Sequence, residues 1–320
     1  MRVLLTGATG FVGRQMLANL ANTPGMSVRA AVRDSGVKLP PGTEICPLGD
    51  FEYVRDWSSA LQACDAVVHL AARVHVMHES AADPAAAFRR INTAATLALA
   101  RQAAQAGVRR FVFLSSVKVN GASTVAGRSF SAQDAPRPAD AYAVSKLEAE
   151  LGLREMAAHG ALEVVIIRPP LVYGPRVRAN FLSLLRWVDR ELPLPLAAIS
   201  NRRSLVSVWN LCDLLGEVLV NPRAAGGVWM VSDGEDLSTP ALVRRMARAM
   251  DRRARLLAVP LRVLRVCATV AGRRAELARL CESLTVDTSR TRADLNWQPR
   301  VSVDEGLRRT AAWYLAEAPS

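Results

Sequence analysis

A tyrosine and a lysine four residues apart are the side chains of this sequence with the clearest acid–base chemistry. Tyr142 and Lys146 would lie on the same face of a helix. A phenol has a pKa of about 10, which makes it a poor acid–base group at neutral pH. Because a nearby ammonium favours the phenolate, we expect Lys146 to lower the pKa of Tyr142. The pair therefore predicts proton exchange between Tyr142 and a substrate hydroxyl.

Two further polar residues precede this pair in an order that suits the same chemistry. Ser116 follows the apolar run Arg110–Ser115 and is predicted to orient and polarise a substrate carbonyl. Asn92 lies in an alanine-rich helical stretch and is predicted to support a proton relay. In isolation, a tyrosine and a lysine at this spacing are more commonly a solvent-exposed helix pair. The catalytic interpretation depends on the four residues occurring together.

A glycine turn near the N-terminus provides the expected binding site for a cofactor. The stretch Gly-Ala-Thr-Gly-Phe-Val-Gly follows a predicted strand, Arg2–Thr6, and opens a predicted helix, Phe11–Ala21. In dinucleotide-binding folds such glycines allow a tight turn, close approach of a diphosphate and close helix–strand packing. The first N–H groups of the helix then face the phosphates. The predicted contacts are Gly7, Thr9, Gly10, Phe11, Val12 and Gly13.

The end of the second predicted strand, Ser27–Arg33, bears on the choice between NAD(H) and NADP(H). An acid at this position would bind the ribose of NAD, whereas an arginine accommodates the 2′-phosphate of NADP. Val32 stands where the acid would be and Arg33 follows, so NADP(H) is favoured over NAD(H). Arg33 could equally be a solvent-exposed strand end, and Asp34 keeps NAD possible. Asp50, Leu70, Ala71, Ala72 and Pro169 are also predicted to contact the cofactor, as are Tyr142 and, through the nicotinamide ribose, Lys146.

Alternation of short apolar runs with helical patterns predicts the fold. It favours an α/β protein with a Rossmann-type, doubly wound parallel sheet and a smaller, mostly helical C-terminal substrate domain. The first domain is expected to comprise residues 1–168 and 204–231, and the second residues 169–203 and 232–320. Further predicted strands are Ala66–Leu70, Glu163–Arg168, Ser204–Val208 and Val228–Val231, and further helices are Ala85–Ala106, Ala141–Ala158 and Leu211–Val220.

Over essentially its whole length the sequence resembles the extended short-chain dehydrogenases/reductases of the nucleotide-sugar epimerase/dehydratase family. The glycine spacing, Asn92, Ser116 and the Tyr-x-x-x-Lys pair carry the resemblance, together with Arg-Pro-Pro-Leu-Val-Tyr-Gly-Pro from Arg168 onward. It implies a UDP-sugar substrate and a homodimer formed through the two long helices. The five scattered cysteines indicate reduced thiols and therefore a cytoplasmic enzyme. The resemblance also implies that Asn180 and Arg203 bind the substrate diphosphate, the arginine in bidentate fashion. Arg73 and Lys118 are further expected substrate contacts.

The residues after Ser116 bear on which reaction of this family is catalysed. Dehydratases carry an acid–glutamate pair there, whereas Val-Lys-Val-Asn-Gly has no carboxylate. The stretch resembles bacterial 4-reductases that form UDP-N-acetylquinovosamine, and Lys118 replaces the small hydroxyl residue typical of epimerases. The first expectation is therefore NADP(H)-dependent reduction of the C4 keto group of a UDP-4-keto-6-deoxy sugar, in the synthesis of lipopolysaccharide O-antigen precursors. Lys118 could instead be a solvent-exposed lysine on a loop.

Two other functions stay open at this stage. The first is a 4-epimerase that acts on a UDP-sugar or a polyprenyl-diphosphate-linked sugar with tightly bound NAD. The second is a non-catalytic, dinucleotide-sensing regulator. Such regulators usually lack an intact catalytic pair, so the presence of Ser116, Tyr142 and Lys146 together disfavours this alternative.

Composition excludes several other classes of protein. With 50% hydrophobic and 22% charged residues, the 320-residue chain has the composition of a compact globular protein. Its formal charge of +12 would suit nucleic acid, but no aromatic residues interleave with the arginines, so no nucleic-acid binding is expected. The five cysteines form no CxxC pair, and His75 and His78 lack a third ligand nearby in sequence, so no metal site is expected.

A basic amphipathic stretch, Leu256–Leu280, is the remaining feature of note. Its apolar and arginine faces could lie on an anionic membrane. More often, such a stretch packs against its own domain or a dimer partner. No run of 18 apolar residues occurs, so no span across a bilayer is expected.

Overall fold

The main sheet has seven parallel strands, and the predicted fold class is confirmed. The computed structural model describes residues 1–74, 83–160 and 162–317. The strands are β1 Arg2–Thr6, β2 Ser27–Val32, β3 Thr43–Pro47, β4 Ala66–His69, β5 Arg110–Leu114, β6 Glu163–Arg168, β7 Leu171–Tyr173, β8 Arg203–Ser207, β9 Val228–Met230 and β10 Asp236–Leu237. The main sheet has the order β3-β2-β1-β4-β5-β6-β9.

Helices cover both faces of this sheet, because its inner strands are buried on both sides. The helices are α1 Phe11–Ala21, α2 Ser58–Leu61, α3 Pro84–Phe88, α4 Thr96–Gln105, α5 Ala141–His159, α6 Ala179–Asp189, α7 Val208–Val220, α8 Thr239–Ala249, α9 Leu261–Val270, α10 Arg274–Cys281, α11 Ser289–Leu295 and α12 Val303–Glu317. A π-helical segment, Arg89–Ala95, joins α3 to α4, so the predicted helix over residues 85–106 is interrupted. In the described part of the chain, no helix has the length and apolarity that a bilayer crossing requires.

A smaller sheet of three strands has the order β10-β8-β7 and packs with α6, α8 and α12 around a separate apolar core. The strand predicted at 204–208 forms as β8, but it pairs with β7 and β10 and not within the main sheet. The predicted assignment of residues 204–231 to the first domain, and the predicted dimer, stay predictions.

A buried aspartate connects the main sheet to the smaller one. Asp233 follows β9, and its carboxylate accepts hydrogen bonds from Tyr173 Oη at 2.7 Å and Asn210 Nδ2 at 2.7 Å. The same carboxylate accepts the Ser207 N–H at the start of α7, and Asp233 N–H donates to Leu205 O. Burial raises the pKa of Asp233, while these donors oppose the shift. One carboxylate therefore fixes β7, β8 and α7 against the end of β9.

We expect Asp233→Ala to lower the free energy of unfolding by about 2–4 kcal/mol, because it leaves several buried donors without an acceptor. Urea denaturation followed by circular dichroism measures the change. Asp294→Ala is the matched control, since Asp294 is exposed and forms an ion pair with Arg290 within α11; its effect is expected within about 0.5 kcal/mol. Equal effects of the two substitutions would contradict the role assigned to Asp233.

Candidate active site

The glycine turn lies between β1 and α1, where it touches the end of β4. Gly7 has a φ of +70°, and a Cβ added to it would lie 2.7 Å from Ala71 N. A Cβ on Gly13 would lie 2.0 Å from Gly7 O, so neither position accepts a side chain. Gly10, the N-cap of α1, has no side chain to occupy the first N–H groups of the helix. This cradle of open backbone fits a dinucleotide diphosphate.

The other residues predicted at the cofactor surround this turn. Thr9 is exposed, while Phe11 and Val12 are half-buried at the start of α1. Ala71 N–H donates to Thr6 Oγ1 at 3.2 Å, which holds the half-buried segment Leu70, Ala71 and Ala72 beside the turn. Pro169 is buried at the end of β6, where its carbonyl accepts the Val117 N–H at 3.0 Å.

Arg33 and Asp50 meet at the carboxyl ends of β2 and β3. The Nε of Arg33 lies 2.8 Å from Asp50 Oδ1, and both side chains are more than half exposed. Each residue is thus already engaged with the other at the position predicted for the adenosine end of the cofactor. A 2′-phosphate at Arg33 would compete with Asp50 for the guanidinium.

Tyr142 and Ser116 form the centre of the predicted catalytic group. Tyr142 is the second residue of α5, which Asp140 caps by accepting the Ala143 N–H at 2.8 Å. Burial and the Asp140 carboxylate raise the pKa of the phenol to about 12, while the nearby Ser116 hydroxyl acts in the opposite direction. This differs from the expectation of a lowered pKa, because burial outweighs the stabilisation of the phenolate. The direction of this shift favours the protonated phenol at neutral pH.

Lys146 is buried and turned towards the end of β5. Its Nζ donates to Leu114 O at 2.8 Å and lies 4.4 Å from the centroid of the Phe113 ring. Burial lowers the pKa of Lys146 to about 7, although the Glu150 carboxylate raises it. Lys146, predicted to favour the phenolate of Tyr142 as an ammonium, can therefore change its charge near neutral pH.

A buried ion pair behind Lys146 was missed by sequence reasoning. Glu150 and Arg168 are almost completely buried, and the Arg168 guanidinium forms two hydrogen bonds with the Glu150 carboxylate. Arg168 also donates to Asn120 Oδ1 at 3.1 Å, and Ser115 donates to Glu150 Oε1. The spacing of Glu150 four residues after Lys146 is the signal that could have found it. The network fixes the loop that begins with Ser116.

Asn92 is buried in the π-helical segment, where it positions the loop after β4. Its Oδ1 accepts the Arg73 N–H at 2.8 Å, and its Nδ2 donates to Arg73 O at 3.0 Å and to Ser145 Oγ at 3.0 Å. π-Helical turns of this kind are frequent at functional sites. These contacts connect the backbone of Arg73 to α5, whereas the predicted proton relay through Asn92 stays a prediction.

Lys118 lies beside Tyr142. Its Nζ forms an ion pair with Asp140 Oδ2 at 2.7 Å and lies 5.8 Å from the centroid of the Tyr142 ring. The Arg73 guanidinium lies 5.7 Å from the centroid of the Phe88 ring, which packs edge-on against Tyr142. The structure thus brings both predicted substrate contacts near Tyr142.

The other two predicted substrate residues lie in the smaller domain. Asn180 is half-buried in the first turn of α6. Arg203 Nη1 donates to Arg279 O at 2.8 Å and to Glu282 O at 3.0 Å, so it binds the last turn of α10. Within residues 1–74, 83–160 and 162–317, no hydrogen bond or ion pair joins either residue to the catalytic group. His75 and His78 lie outside the described residues, among which there is no cluster suited to a metal ion.

We expect Tyr142→Phe to abolish turnover and leave dinucleotide binding nearly unchanged, because only the exchangeable proton is removed. Initial rates and titration calorimetry with NAD and NADP measure the two properties. Tyr53→Phe is the matched control, since this phenol is 66% exposed outside the catalytic group. Turnover by Tyr142→Phe at the wild-type rate would contradict the assignment.

Lys146 also predicts a pH dependence of stability in the protein without bound dinucleotide. Between pH 7 and its ordinary pKa of 10.5, the unfolded chain binds a proton that the folded protein does not. The free energy of unfolding therefore rises with pH in this range, by at most about 1.4 kcal/mol per pH unit from this group. Lys146→Met removes that increment, so the difference obtained by subtracting the variant's free energy of unfolding from that of the wild type increases from pH 7 to pH 9.

Urea denaturation at several pH values measures this difference, in which groups that titrate equally in both proteins cancel. Parallel stability curves for wild type and Lys146→Met would contradict a lowered pKa at Lys146.

Comparison with known proteins places the chain in a family. The model of the NAD dependent epimerase/dehydratase family matches residues 3–231. A UDP-glucose 4-epimerase of Vibrio cholerae is 42% identical over 314 residues, covering 98% of this chain and 95% of that protein.

Solved structures resemble this fold along its entire length. The UDP-glucuronic acid 4-epimerase of Bacillus cereus in complex with NAD has a TM-score of 0.81 at 19% identity, with 100% of each chain covered. The UDP-glucose 4-epimerase of Thermotoga maritima with UDP-glucose has a TM-score of 0.79 at 19% identity, again covering 100% of each chain. The family match and the 42% identical relative confirm the predicted enzyme class and its nicotinamide dinucleotide cofactor: this chain belongs to the NAD dependent epimerase/dehydratase family.

Proposed function

We propose that this enzyme is a 4-epimerase of a UDP-linked hexose. The observation that carries the proposal is that the Ser116 hydroxyl lies close enough to the phenol of Tyr142 to lower the pKa of that phenol. Two hydroxyl groups at one point can bind one sugar oxygen and transfer its proton. The 42% identical relative from Vibrio cholerae is a UDP-glucose 4-epimerase, which supports C4 as the ring position that carries this oxygen.

The side chains of the site have distinct parts in this chemistry. A bound nicotinamide would accept a hydride from C4 of the sugar and then return it. Ser116 would hydrogen-bond the C4 oxygen, and Tyr142 Oη would take up or return the proton of that oxygen. For uptake the phenol must first lose its own proton, which the raised pKa of Tyr142 opposes in the protein alone. A positive charge brought next to the phenol would lower this pKa and make uptake feasible.

Epimerisation is ranked above reduction, which reverses the order expected from the sequence. The full-length relative is a 4-epimerase, and it supports what was the second expectation. Reduction of a UDP-4-keto-6-deoxy sugar remains the second candidate, because Lys118 and its ion pair with Asp140 occupy a position beside Tyr142. Dehydration is not proposed, since the residues 117–121 provide no carboxylate.

The form of the dinucleotide is linked to this choice. An epimerase returns the hydride to its own intermediate and needs no supply of reduced cofactor, so we propose NAD for it. The family description supports NAD. A reductase consumes NADPH, and the exposed guanidinium of Arg33 could bind its 2′-phosphate after releasing Asp50. The preference for NADP(H) that was expected from Arg33 therefore applies if the enzyme is the reductase, the second candidate.

The test compares the two reactions on one enzyme preparation. Incubation with NAD and UDP-glucose, or UDP-N-acetylglucosamine, is expected to form the corresponding C4 epimer without net production of NADH. Nuclear magnetic resonance of the sugar and absorbance at the NADH band measure the two quantities. A separate incubation contains NADPH and a UDP-4-keto-6-deoxy sugar.

Tyr142→Phe is the control for contaminating enzymes, because it keeps the binding site and removes the proton-transfer group. Stoichiometric oxidation of NADPH, without epimer formation in the first incubation, would overturn the proposal in favour of the reductase. Failure of both reactions would overturn both candidates.

A further inference from the structure

Helix α9 exposes an apolar stripe that the described part of the protein leaves uncovered. Val263, Val266 and Val270 are 48%, 64% and 85% exposed. Their spacing of three and four residues places them on one face of the helix. The opposite face, formed by Leu261, Leu264 and Ala268, is only partly buried, and α9 contains no buried residue at all.

The contact between α9 and the rest of the protein is incompletely filled. An open apolar groove of about 370 Å³ lies between the helix and the segment after α6, lined by Leu192, Leu194, Leu196, Leu264, Ala268 and Leu280. A ten-residue helix is marginal in water unless an apolar face is buried. The packing within the chain therefore provides little of the burial that α9 requires.

Charge indicates what kind of surface would cover the valines. Residues 260–274 contain four arginines and no aspartate or glutamate. Arg262 and Arg265 are exposed on α9, and neither forms a salt bridge with any residue in the described ranges. Their positions on the helix lie between the stripe of valines and the inner face. An apolar stripe flanked by uncompensated arginines is complementary to a layer that is apolar inside and anionic at its edge.

We propose that α9 binds the surface of an anionic phospholipid bilayer. The valines would enter the boundary between headgroups and acyl chains, and Arg262 and Arg265 would lie at the lipid phosphates. The helix would then lie in the plane of the membrane and not cross it. This binding is independent of the reaction proposed above, because none of these residues belongs to the catalytic group.

The experiment is co-sedimentation of the full chain with vesicles of phosphatidylcholine, with and without phosphatidylglycerol. Wild-type protein is expected to bind the anionic vesicles at low salt and to be released as salt screens the arginines. Arg262→Glu/Arg265→Glu and Val266→Asp are each expected to lower the partition coefficient about tenfold or more. The absence of wild-type binding to anionic vesicles at low salt would overturn the proposal.

Matched control variants test whether a loss of binding is specific to α9. They show the effect of changing the net charge, or of replacing an exposed valine, elsewhere in the chain. Val125 is 67% exposed in a loop, and Arg101 and Arg223 are exposed in other parts of the chain. Val125→Asp and Arg101→Glu/Arg223→Glu are expected to change binding less than about twofold. Equal losses in the controls and the α9 variants would overturn a specific role of α9.

A second copy of this chain is the alternative occupant, and sedimentation velocity without lipid tests it. The proposal predicts the same oligomeric state for wild type and Val266→Asp. Dissociation of an oligomer by Val266→Asp, with vesicle binding unchanged, would overturn the membrane assignment. Thermal unfolding of each variant shows that the fold is intact, which is expected because α9 contributes no buried side chain.

Discussion

The backbone of Gly7 passes so close to the end of β4 that no side chain fits between them. A Cβ there would lie 2.7 Å from Ala71 N, and one on Gly13 would lie 2.0 Å from Gly7 O. This contact sets the distance between β1, α1 and β4. The chain runs outward from β1 to β3 and then returns to place β4 on the other side of β1, so the turn lies where the strand order reverses. Ligands of open parallel sheets bind at such points, and the rest of the site is built around it.

Burial controls the charges of Tyr142 and Lys146. It raises the pKa of Tyr142 to about 12 and lowers that of Lys146 to about 7. Each group is therefore uncharged over a wider pH range than it is in water. The neighbouring ion pair of Glu150 and Arg168 is buried with its hydrogen bonds satisfied, as a charged network in a core must be. The protein thus holds an acid–base pair whose charge depends on what is bound beside it.

Much of this architecture could be predicted from sequence, for reasons that differ between elements. The inner strands are continuous apolar runs, and their predicted ends lie within two residues of those observed. β3, β7 and β10 were missed, because β7 and β10 have three residues or fewer and β3 ends in a proline at the sheet edge. Local patterns identified Tyr142, Lys146 and Ser116 as candidates and predicted that the first two share one helix, which is α5. They could not show the burial of Lys146 or the partners of Arg203, since both depend on contacts between segments distant in sequence.

The central claim is that hydrogen leaves C4 of the sugar and returns to C4 within one active site. Its most direct test uses UDP-glucose that carries deuterium at C4, incubated with the enzyme and NAD in ordinary water. We expect the UDP-galactose formed to retain deuterium at C4, as measured by mass spectrometry and nuclear magnetic resonance. A product that carries solvent hydrogen at C4 would contradict the return of the same hydrogen to C4.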